Sequence, residues 1–345
     1  MARSKAVSIK DVAAECDVSA TTVSLILNDR ADEFRIAPAT RERVLEAAES
    51  LGYKPPRGSR KRSPVARSAL WCIFAPVDFA SGPTSELFAG VREYALENDV
   101  AVETILFPYE RGQLADKASW ISRQFCHGAI VAGQTDADDE YVENAQFDVP
   151  IVVFNRSSKS HASVNIDNYA VGQRAMRHLY GRGHRRFGVV APPHSSRPMS
   201  LRSVGFEDEL QGAAGDITAA EVVTVRGSLS HAGGAEAVEQ LYREGPGPTA
   251  IFVLNDVMVG GLIRELSARG LTVPDDVEVV TFGDMPINTI LRPTVTSFAF
   301  PMQEMSRECA RILHQAAAAP DRRDAAVRMF DAEFVVRESS PAETG

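Results

Sequence analysis

Residues 8–29 read SIKDVAAECDVSATTVSLILND and decide how the first part of the chain folds. Ser8 suits a helix N-cap, and Asp11 follows at the spacing of a capping box. Apolar side chains then recur at i, i+3, i+4 and i+7, which predicts one face of a helix. These four positions are Ile9, Val12, Ala13 and Cys16. After a short break, Ser19 is placed to cap a second helix.

The second predicted helix has one apolar face and one face of mostly small or polar residues. Its inward stripe consists of Val23, Ile26 and Leu27. Its outward face consists of Ala20, Thr21, Ser24, Leu25 and Asn28. A third helix is expected to begin near Pro38 and to end at Gly52, a suitable C-terminal cap. Its predicted apolar face consists of Val44, Leu45, Ala48 and Leu51.

Three short helices with a tight turn between the first two predict a helix-turn-helix. In that motif the second helix enters the DNA major groove with its N-terminal residues towards the base edges. We expect Ser19, Thr22 and Asn28 to contact phosphates and fix the orientation of the helix. An unrelated three-helix bundle is the alternative interpretation.

Charge is unevenly distributed along the chain, whose formal net charge is −9. Residues 1–67 hold 13 Lys and Arg against 9 Asp and Glu, whereas the remainder holds 24 against 37. A basic head on an acidic body indicates that only the head meets a polyanion, although a solvated basic tail is the alternative.

Two stretches, IKDVAAECDVSATTVSLILN (9–28) and TRERVLEAAESLGYKP (40–55), resemble the DNA-binding head of the lactose-repressor (LacI/GalR) family of bacterial transcription regulators. The chain departs from the family at Leu25, where many members have an arginine that reads guanine. A leucine can instead pack on a thymine methyl group, so a different base preference is expected. With the short Ala20 and Thr21 at the leading positions, DNA shape is expected to contribute more. The stretch DRADEFRIA (29–37) is longer than usual and has no assigned role.

Residues 57–67 correspond to the family's hinge, which forms a short helix on DNA and inserts a leucine into the minor groove. Here Arg62 stands at the expected position of that leucine. The hinge therefore either kinks DNA differently or stays extended and binds by charge, and a plain disordered tether is the alternative. The basic residues expected to contact DNA are Lys54, Arg57, Arg60, Lys61 and Arg62.

From residue 68 the chain alternates short apolar runs with helical stretches. The runs are 70–76, 102–107, 128–133, 151–155, 187–192, 221–225, 250–254 and 277–283. Such runs predict buried parallel strands covered by helices on both faces. Their number fits an α/β core of two doubly wound halves, with a ligand cleft beyond the carboxyl ends of the strands.

This core resembles the family's effector-binding core, which has the fold of periplasmic sugar-binding proteins. The resemblance rests on motifs such as NIDNYAVG (165–172), PTAIFVLNDVMVGG (248–261) and VPDDVEVVTFGD (273–284). It implies a helix-turn-helix head at 1–56, a hinge at 57–67 and a core at 68–340. By analogy the core halves exchange strands, as 68–160 plus 292–323 and 161–291 plus 324–340.

The family's effector contacts carry over to a set of residues at or near strand ends. They are Ser81, Thr84, Asn155, Arg202, Asn255, Asp284 and Phe300. The guanidinium fork of Arg202 suits vicinal hydroxyls or a carboxylate. Gly283 stands where the family usually has the first of two aspartates, which puts the usual clamp on sugar hydroxyls in doubt. Each Asn or Asp alone also suits a cap or a turn.

Other protein classes find little support in the sequence. There is no GxSxG elbow, phosphate-binding loop or HExxH motif, so we expect no catalysis, no cofactor and no metal. The four cysteines are scattered and predict buried thiols in a reducing cytoplasm. No apolar run is long enough for a bilayer, and no secretory leader is present.

The resemblance and the residues together predict a cytoplasmic homodimeric repressor that binds a palindromic operator in double-stranded DNA. A small molecule between the core halves, a sugar or sugar derivative, is expected to control that binding. The alternatives are a solute-binding protein, a doubly wound sugar enzyme, and an activator or dual regulator of the same family. Whether the ligand releases DNA or promotes binding stays open.

Overall fold

The computed structural model describes residues 7–27, 31, 34, 36–51, 53, 68–77, 84–193, 196–213, 220–319 and 325–342. The chain separates into two compact units, Met1–Arg67 and Ser68–Gly345. Across these described ranges, no helix has the length and apolar character needed to cross a bilayer. The predicted hinge at 57–67, like Gly52, lies outside the described residues.

The first unit contains the three predicted helices. They are α1 (Ile9–Glu15), α2 (Ala20–Leu27) and α3 (Pro38–Ser50). At the start of α1, the backbone N–H and the hydroxyl of Ser8 each donate to the Asp11 carboxylate at 2.7 Å. At the start of α2, the N–H of Thr22 donates to Ser19 Oγ at 3.0 Å. Both predicted caps are therefore confirmed.

The core of the head differs from expectation at one position of α3. Leu45 is 42% exposed, whereas Val44, Ala47 and Ala48 are buried. Positions 44, 47, 48 and 51 share one face at 3.6 residues per turn, and position 45 lies about 100° away from 44. The prediction of an inward Leu45 was therefore wrong.

The long connection between α2 and α3 contributes to the same core. Ala31 is 2% exposed, and Ile36 packs against the cluster formed by the three helices. The N–H of Ile36 donates to the carbonyl of Ala31 at 2.9 Å, which closes the connection on itself. These two residues give part of the stretch 29–37 a structural role.

The second unit is built on two six-stranded sheets among the described residues. The first sheet contains β1 (Ala69–Pro76), β2 (Val102–Tyr109), β3 (Gly128–Ala132), β4 (Ile151–Phe154), β5 (Ala162–Ile166) and β11 (Val327–Phe330). The second contains β6 (Arg186–Ala191), β7 (Glu221–Arg226), β8 (Ala250–Val253), β9 (Glu278–Gly283), β10 (Thr296–Ala299) and β12 (Glu333–Val335). The strand orders are β11-β5-β4-β3-β1-β2 and β12-β10-β9-β8-β6-β7. The pairing is parallel except between β10 and β12, which confirms two doubly wound α/β halves.

All eight apolar runs of the sequence form strands, but the sequence missed four others. The missed strands are β5, β10, β11 and β12. Buried polar residues interrupt two of them, Ser163 and Asn165 in β5 and Thr296 and Ser297 in β10. The other two are short edge strands with few buried side chains. None of the four therefore has the continuous apolar run typical of a buried parallel strand.

Helices connect and cover the strands. They are α4 (Thr84–Glu97), α5 (Asp136–Asn144), α6 (Asn168–Gly181), α7 (Arg197–Ala213), α8 (His231–Leu241), α9 (Val259–Ala268), α10 (Ile287–Ile290) and α11 (Met302–Ala318). Short 3-10 helices lie at Leu114–Trp120 and Asp256–Met258. Helices α4 and α11 pack together over the first sheet, and α6 packs closely on α7.

The sheet membership corrects the expected division of the core. Strand β5 belongs to the first sheet, although the sequence assigned residues from 161 onward to the second half. Strand β10 belongs to the second sheet, and β11 to the first, each opposite to its assignment. The chain therefore crosses over after β5, returns after β10, and crosses a last time between β11 and β12. The division was misplaced because β5, β10 and β11 were not recognised as strands, and the chain passes from one sheet to the other next to them.

Gly172 allows α6 and α7 to approach closely. A β-carbon at this position would overlap the carbonyl oxygen of Arg202 and lie 2.7 Å from the backbone nitrogen of Phe206. Any larger residue would push α7 outward. This contact therefore sets the position of α7 and of the Arg202 side chain that it carries.

A buried carboxylate ties the C-terminal segment to the second sheet. Glu278, at the start of β9, is 5% exposed. Arg182 Nε donates to both of its oxygens, at 2.8 and 2.7 Å, and Ser340 Oγ donates at 2.6 Å. Burial alone would raise the pKa of Glu278, but hydrogen bonds from His184, Arg182 and Ser340 outweigh it and lower the pKa to about 2.

Glu278→Gln should lower the free energy of unfolding by about 3 kcal/mol at pH 7. The folded pKa lies below the ordinary value of 4.5. The contribution of Glu278 is therefore complete above pH 4.5 and is lost as the pH falls towards 2. Urea denaturation of both proteins at pH 7 and pH 3 measures the difference, which should shrink at pH 3. Glu265→Gln, which removes a surface pair with Arg269, is the control and should cost less than about 1 kcal/mol. A difference that is equal at the two pH values would contradict the assignment.

Candidate functional site

The outward face of α2 carries the residues predicted to meet DNA. Thr21 is exposed, and Thr22, Ser24 and Leu25 are half-buried. Ala20 departs slightly from expectation, since it packs partly against the core of the head. Asn28, Lys54, Arg57, Arg60, Lys61 and Arg62 lie outside the described residues.

The inner side of α2 is fully packed, so the orientation of its outer side is fixed. Val23 is 0% and Ile26 3% exposed. The hydroxyls of Ser19 and Thr22 lie 2.8 Å apart at the N-terminus of the helix. A helix N-terminus with two hydroxyls suits a phosphate, and the short side chains beyond it allow close approach to a groove.

The core contains a cleft of about 640 Å³ whose walls come from both sheets. Its lining residues follow the carboxyl ends of several strands, as the strand pattern predicted. From the first sheet they include Gln134, Asn155 and Arg156, and from the second Asn255, Asp256, Asp284 and Phe300. Such a position between two lobes is typical of small-molecule sites.

The structure brings most of the predicted effector residues together. Asn155, Arg202, Asn255, Asp284 and Phe300 all line the cleft. Thr84 does not belong to the described lining, although Glu86 in the same first turn of α4 does. Ser81 lies outside the described residues. The effector contact expected for Thr84 stays a prediction. Thr84 and Glu86 are two residues apart, about 200° around the helix axis, so their side chains face different directions.

Arg202 is the most deeply placed of these side chains, at 2% exposed. Its guanidinium donates to Asn168 Oδ1 and to the carbonyl of Leu254, and it stacks over the Phe282 ring at 3.8 Å from the centroid. Burial lowers the pKa of Arg202 to about 9, against the attraction of Asp256. Arg202 thus remains charged at neutral pH in a site that withholds water from it.

The two acidic groups at the second sheet differ in their surroundings. Arg337 pairs with both oxygens of Asp284, at 2.6 and 3.0 Å, and Ser297 Oγ donates at 2.6 Å. Burial would raise the pKa of Asp284, but these bonds outweigh it and lower the pKa. Asp256 accepts from the N–H of Met285 at 2.7 Å. Burial raises the pKa of Asp256 to about 6.

The Asp256 carboxylate lies against the backbone of Gly283, where a side chain would otherwise stand. A β-carbon at Gly283 would overlap the Asp256 carboxylate, and the backbone φ of Gly283 is +140°, which other residues rarely adopt. The absence of a side chain at this position leaves room for the carboxylate of Asp256, which lies in the 3-10 helix after the neighbouring strand β8. The sequence singled out Gly283 but not Asp256.

The two cleft asparagines also hold the backbone. Asn155 adopts a φ of +54°, and its Oδ1 accepts from Asn168 Nδ2 at 3.0 Å. Asn255 caps the 3-10 helix at Asp256–Met258 by accepting from the N–H of Val257 at 3.0 Å. Both asparagines therefore have the turn or capping role that the sequence offered as an alternative.

Aromatic side chains also line the cleft. The Phe300 ring lies 5.9 Å from Phe154 and 5.5 Å from Phe282, centroid to centroid. Met199 and Met302 extend the apolar surface. A ligand with one polar edge and one apolar face fits such a cleft.

No cluster of three or more His, Cys, Asp or Glu suited to a metal ion occurs in the parts of the chain that the structure covers. Cys16, Cys72, Cys126 and Cys309 are free and buried, which confirms the predicted buried thiols.

Comparison with known proteins matches both units. Residues 8–56 match the model of bacterial regulatory proteins of the lacI family, and residues 176–340 match a periplasmic binding protein-like domain. The HTH-type transcriptional repressor CytR of Escherichia coli strain K12 is 27% identical over 340 residues, 98% of this chain and 97% of that protein.

Two solved structures extend the comparison to the fold. The lac repressor dimer bound to operator and the anti-inducer ONPF is 23% identical, with a TM-score of 0.73 over 98% of this chain and 100% of that one. The complex of the regulator CelR with cellobiose is 25% identical, with a TM-score of 0.69 over 96% and 99%. Residues 8–56 thus form a head of the lacI family of bacterial regulatory proteins, and the chain is similar over nearly its whole length to transcriptional regulators of that family.

Proposed function

We propose that this protein is a cytoplasmic homodimeric repressor that binds a palindromic operator and responds to a small-molecule effector in the core cleft. The observation that carries the proposal is the rigid presentation of the outward face of α2 on a packed three-helix head, in a chain whose second unit holds a two-lobed cleft. The operator lies on chromosomal DNA, so the cytoplasm is where the protein acts.

The DNA-binding role rests on the shape and charge of the head. The short side chains of Ala20 and Thr21 permit insertion of α2 into a major groove. Leu25 stays outside the described core cluster of the head and supplies an apolar contact, which favours a thymine methyl over guanine. Basic residues of the hinge segment, Arg57 to Arg62, would add contacts to the minor groove or the phosphates.

The effector role rests on the cleft. CelR was solved with cellobiose, and we extend a sugar or sugar derivative to this chain. Occupation of the cleft would change the relative pose of the two halves and thereby the spacing of the paired heads. Coupling between such sites is typically about 1–3 kcal/mol.

A two-fold dimer is supported by the lac repressor, which was solved as a dimer bound to operator. Two copies of this chain would present two heads to one palindrome. Binding rather than turnover is proposed because the relatives compared above are regulators, and a turnover assay with sugars would test the enzyme alternative.

An activator of the same family would be recognised by reduced, not raised, expression of the target genes after deletion of the gene.

Operator binding should depend steeply on salt. If a dimer neutralises several phosphates, its affinity for a palindromic duplex should fall about a thousandfold or more between 50 and 200 mM salt. Fluorescence anisotropy with a labelled duplex at four salt concentrations measures the slope. A scrambled duplex of equal length is the control and should bind weakly throughout. A flat titration, or equal affinity for both duplexes, would refute the proposed function.

A further inference from the structure

The cleft contains a buried amide that has no partner. Gln134 follows β3, lines the cleft and is 1% exposed. Within the described part of the chain, neither its Oε1 nor its Nε2 makes a hydrogen bond. Buried polar side-chain atoms are nearly always bonded, so an orphaned amide at the wall of a cleft indicates a ligand that completes it.

Arg156 lies on the same half of the cleft and is also incompletely bonded. Its Nη2 lies 2.7 Å from Asp139 and 3.2 Å from Asp136. Its Nε and Nη1 have no hydrogen-bond partner in the structure as described, although the side chain is only 2% exposed. Asp136 is itself almost fully exposed, so its attraction for Arg156 is weakened by solvent.

On the opposite half, Arg202 has only neutral hydrogen-bond acceptors. They are Asn168 Oδ1 and the Leu254 carbonyl, and Arg202 Nε has no partner among the described atoms. Asp256 attracts Arg202 electrostatically, but its Oδ2 accepts from the N–H of Met285 and from Asn288 Nδ2. The orphaned buried atoms at this cleft are thus mostly donors: three arginine nitrogens and one amide nitrogen against one amide oxygen.

We propose that the effector of this protein carries an oxyanion, a carboxylate or a phosphate, that is bound between Arg156 and Arg202 with Gln134 beside it. This inference rests on the proposed function, since it names the chemical class of that effector. Oxyanions accept several hydrogen bonds at once and suit arginine donors better than a neutral hydroxyl does. The aromatic wall at Phe300 then takes the apolar face of a sugar ring.

The arrangement also gives the ligand a means to act on the two halves. Arg156 follows β4 of the first sheet, and Arg202 lies on α7 of the second half. An anion that accepts hydrogen bonds from both arginines would attract both and so link the two lobes. Small rotations of Gln134 and the two arginines towards the anion would accompany closure.

The test is a matched panel of sugars applied to the full-length protein. Each neutral sugar is compared with its acid and its phosphate: D-glucose with D-glucuronate and D-glucose 6-phosphate, D-galactose with D-galacturonate and D-galactose 6-phosphate, and D-ribose with D-ribonate and D-ribose 5-phosphate. Thermal unfolding finds binders, and isothermal calorimetry gives their Kd. We expect at least one anionic compound to bind at least tenfold more tightly than its neutral parent. The acid and phosphate arms tell which oxyanion is preferred.

Gln134→Leu separates a binding role from a structural one. The substitution keeps the volume and removes the orphaned amide, so the melting temperature should stay the same or rise, while the Kd of the anionic binder rises at least fivefold. Gln211→Leu, on the exposed end of α7, is the control and should change neither quantity. A neutral sugar that binds as tightly as its anionic partners, a panel without any anionic binder, or an unchanged Kd in Gln134→Leu would overturn the proposal. Operator binding is measured in the same preparation. Loss of specific operator binding would refute the proposed function, whereas the effector measurements test only the anionic class of the effector.

Discussion

Arg202→Met is expected to abolish the response of the protein to its effector. The substitution keeps much of the side-chain volume but removes the charged donors and the stacking on Phe282. A charge-assisted hydrogen bond contributes about 1.5–3 kcal/mol, so loss of the contact should weaken effector binding about 10- to 150-fold. Calorimetry with a compound that stabilises the wild-type protein measures the Kd. Anisotropy with and without that compound should show that operator affinity no longer changes.

Arg202→Met also changes the free energy of unfolding, and this change must be separated from the loss of effector binding. Asn168 Oδ1 and the Leu254 carbonyl lose a donor, which costs about 1–3 kcal/mol each. Removal of a desolvated charge offsets part of that cost. Arg177→Met is the matched control, because Arg177 lies on α6 at the surface, pairs with Glu209 and has no place in the cleft. Unchanged effector affinity in Arg202→Met would show that the ligand binds elsewhere.

Val23→Asp is expected to eliminate operator binding without unfolding the core. Val23 is 0% exposed in the centre of the head. An unpaired buried carboxylate costs about 3–5 kcal/mol or more. A domain of this size has a total stability of only a few kcal/mol, at about 0.05–0.15 kcal/mol per residue. The head should therefore unfold, and operator affinity should fall more than about 100-fold, whereas the thermal transition of the core should remain.

Ala14→Glu is the matched control for Val23→Asp. It adds the same charge to an exposed position of α1 in the same head, so operator affinity should stay within about threefold of wild type. Anisotropy and scanning calorimetry of the full-length variants measure both properties. Operator binding by Val23→Asp at wild-type strength would mean that the three helices are not the DNA-binding element.

The local features of the head were predictable because they depend on neighbouring residues. The caps at Ser8 and Ser19 and the start of α3 at Pro38 follow from side-chain chemistry within three or four positions. Leu45 was misassigned because an apolar residue was counted without its angle around the helix. The continuous runs of the core strands were equally visible, since burial on both faces requires apolar residues at every position.

The unpredicted features depend on contacts between distant residues. Strands β5 and β10 contain buried polar side chains such as Asn165 and Ser297, which break the apolar run expected of a buried strand. The hydrogen-bond partners of these side chains cannot be read from the sequence. Asp256 was passed over because its position depends on the missing side chain of Gly283 in the next strand. Gln134 and Arg156 gave no motif, and their unpaired atoms become visible only once the cleft is assembled. The family resemblance supplied Arg202 and Phe300, which no periodicity would have singled out.

The most direct test of the account is a selection of duplex DNA by the full-length protein from a random-sequence library. If a pair of α2 helices reads the major groove, the bound fraction should be enriched in one inverted repeat. Its half-sites should lie about one helical turn, or a multiple of it, apart. Recovery of no common motif after repeated rounds, or of a single unrepeated half-site, would contradict the claim that a two-fold pair of these heads recognises an operator.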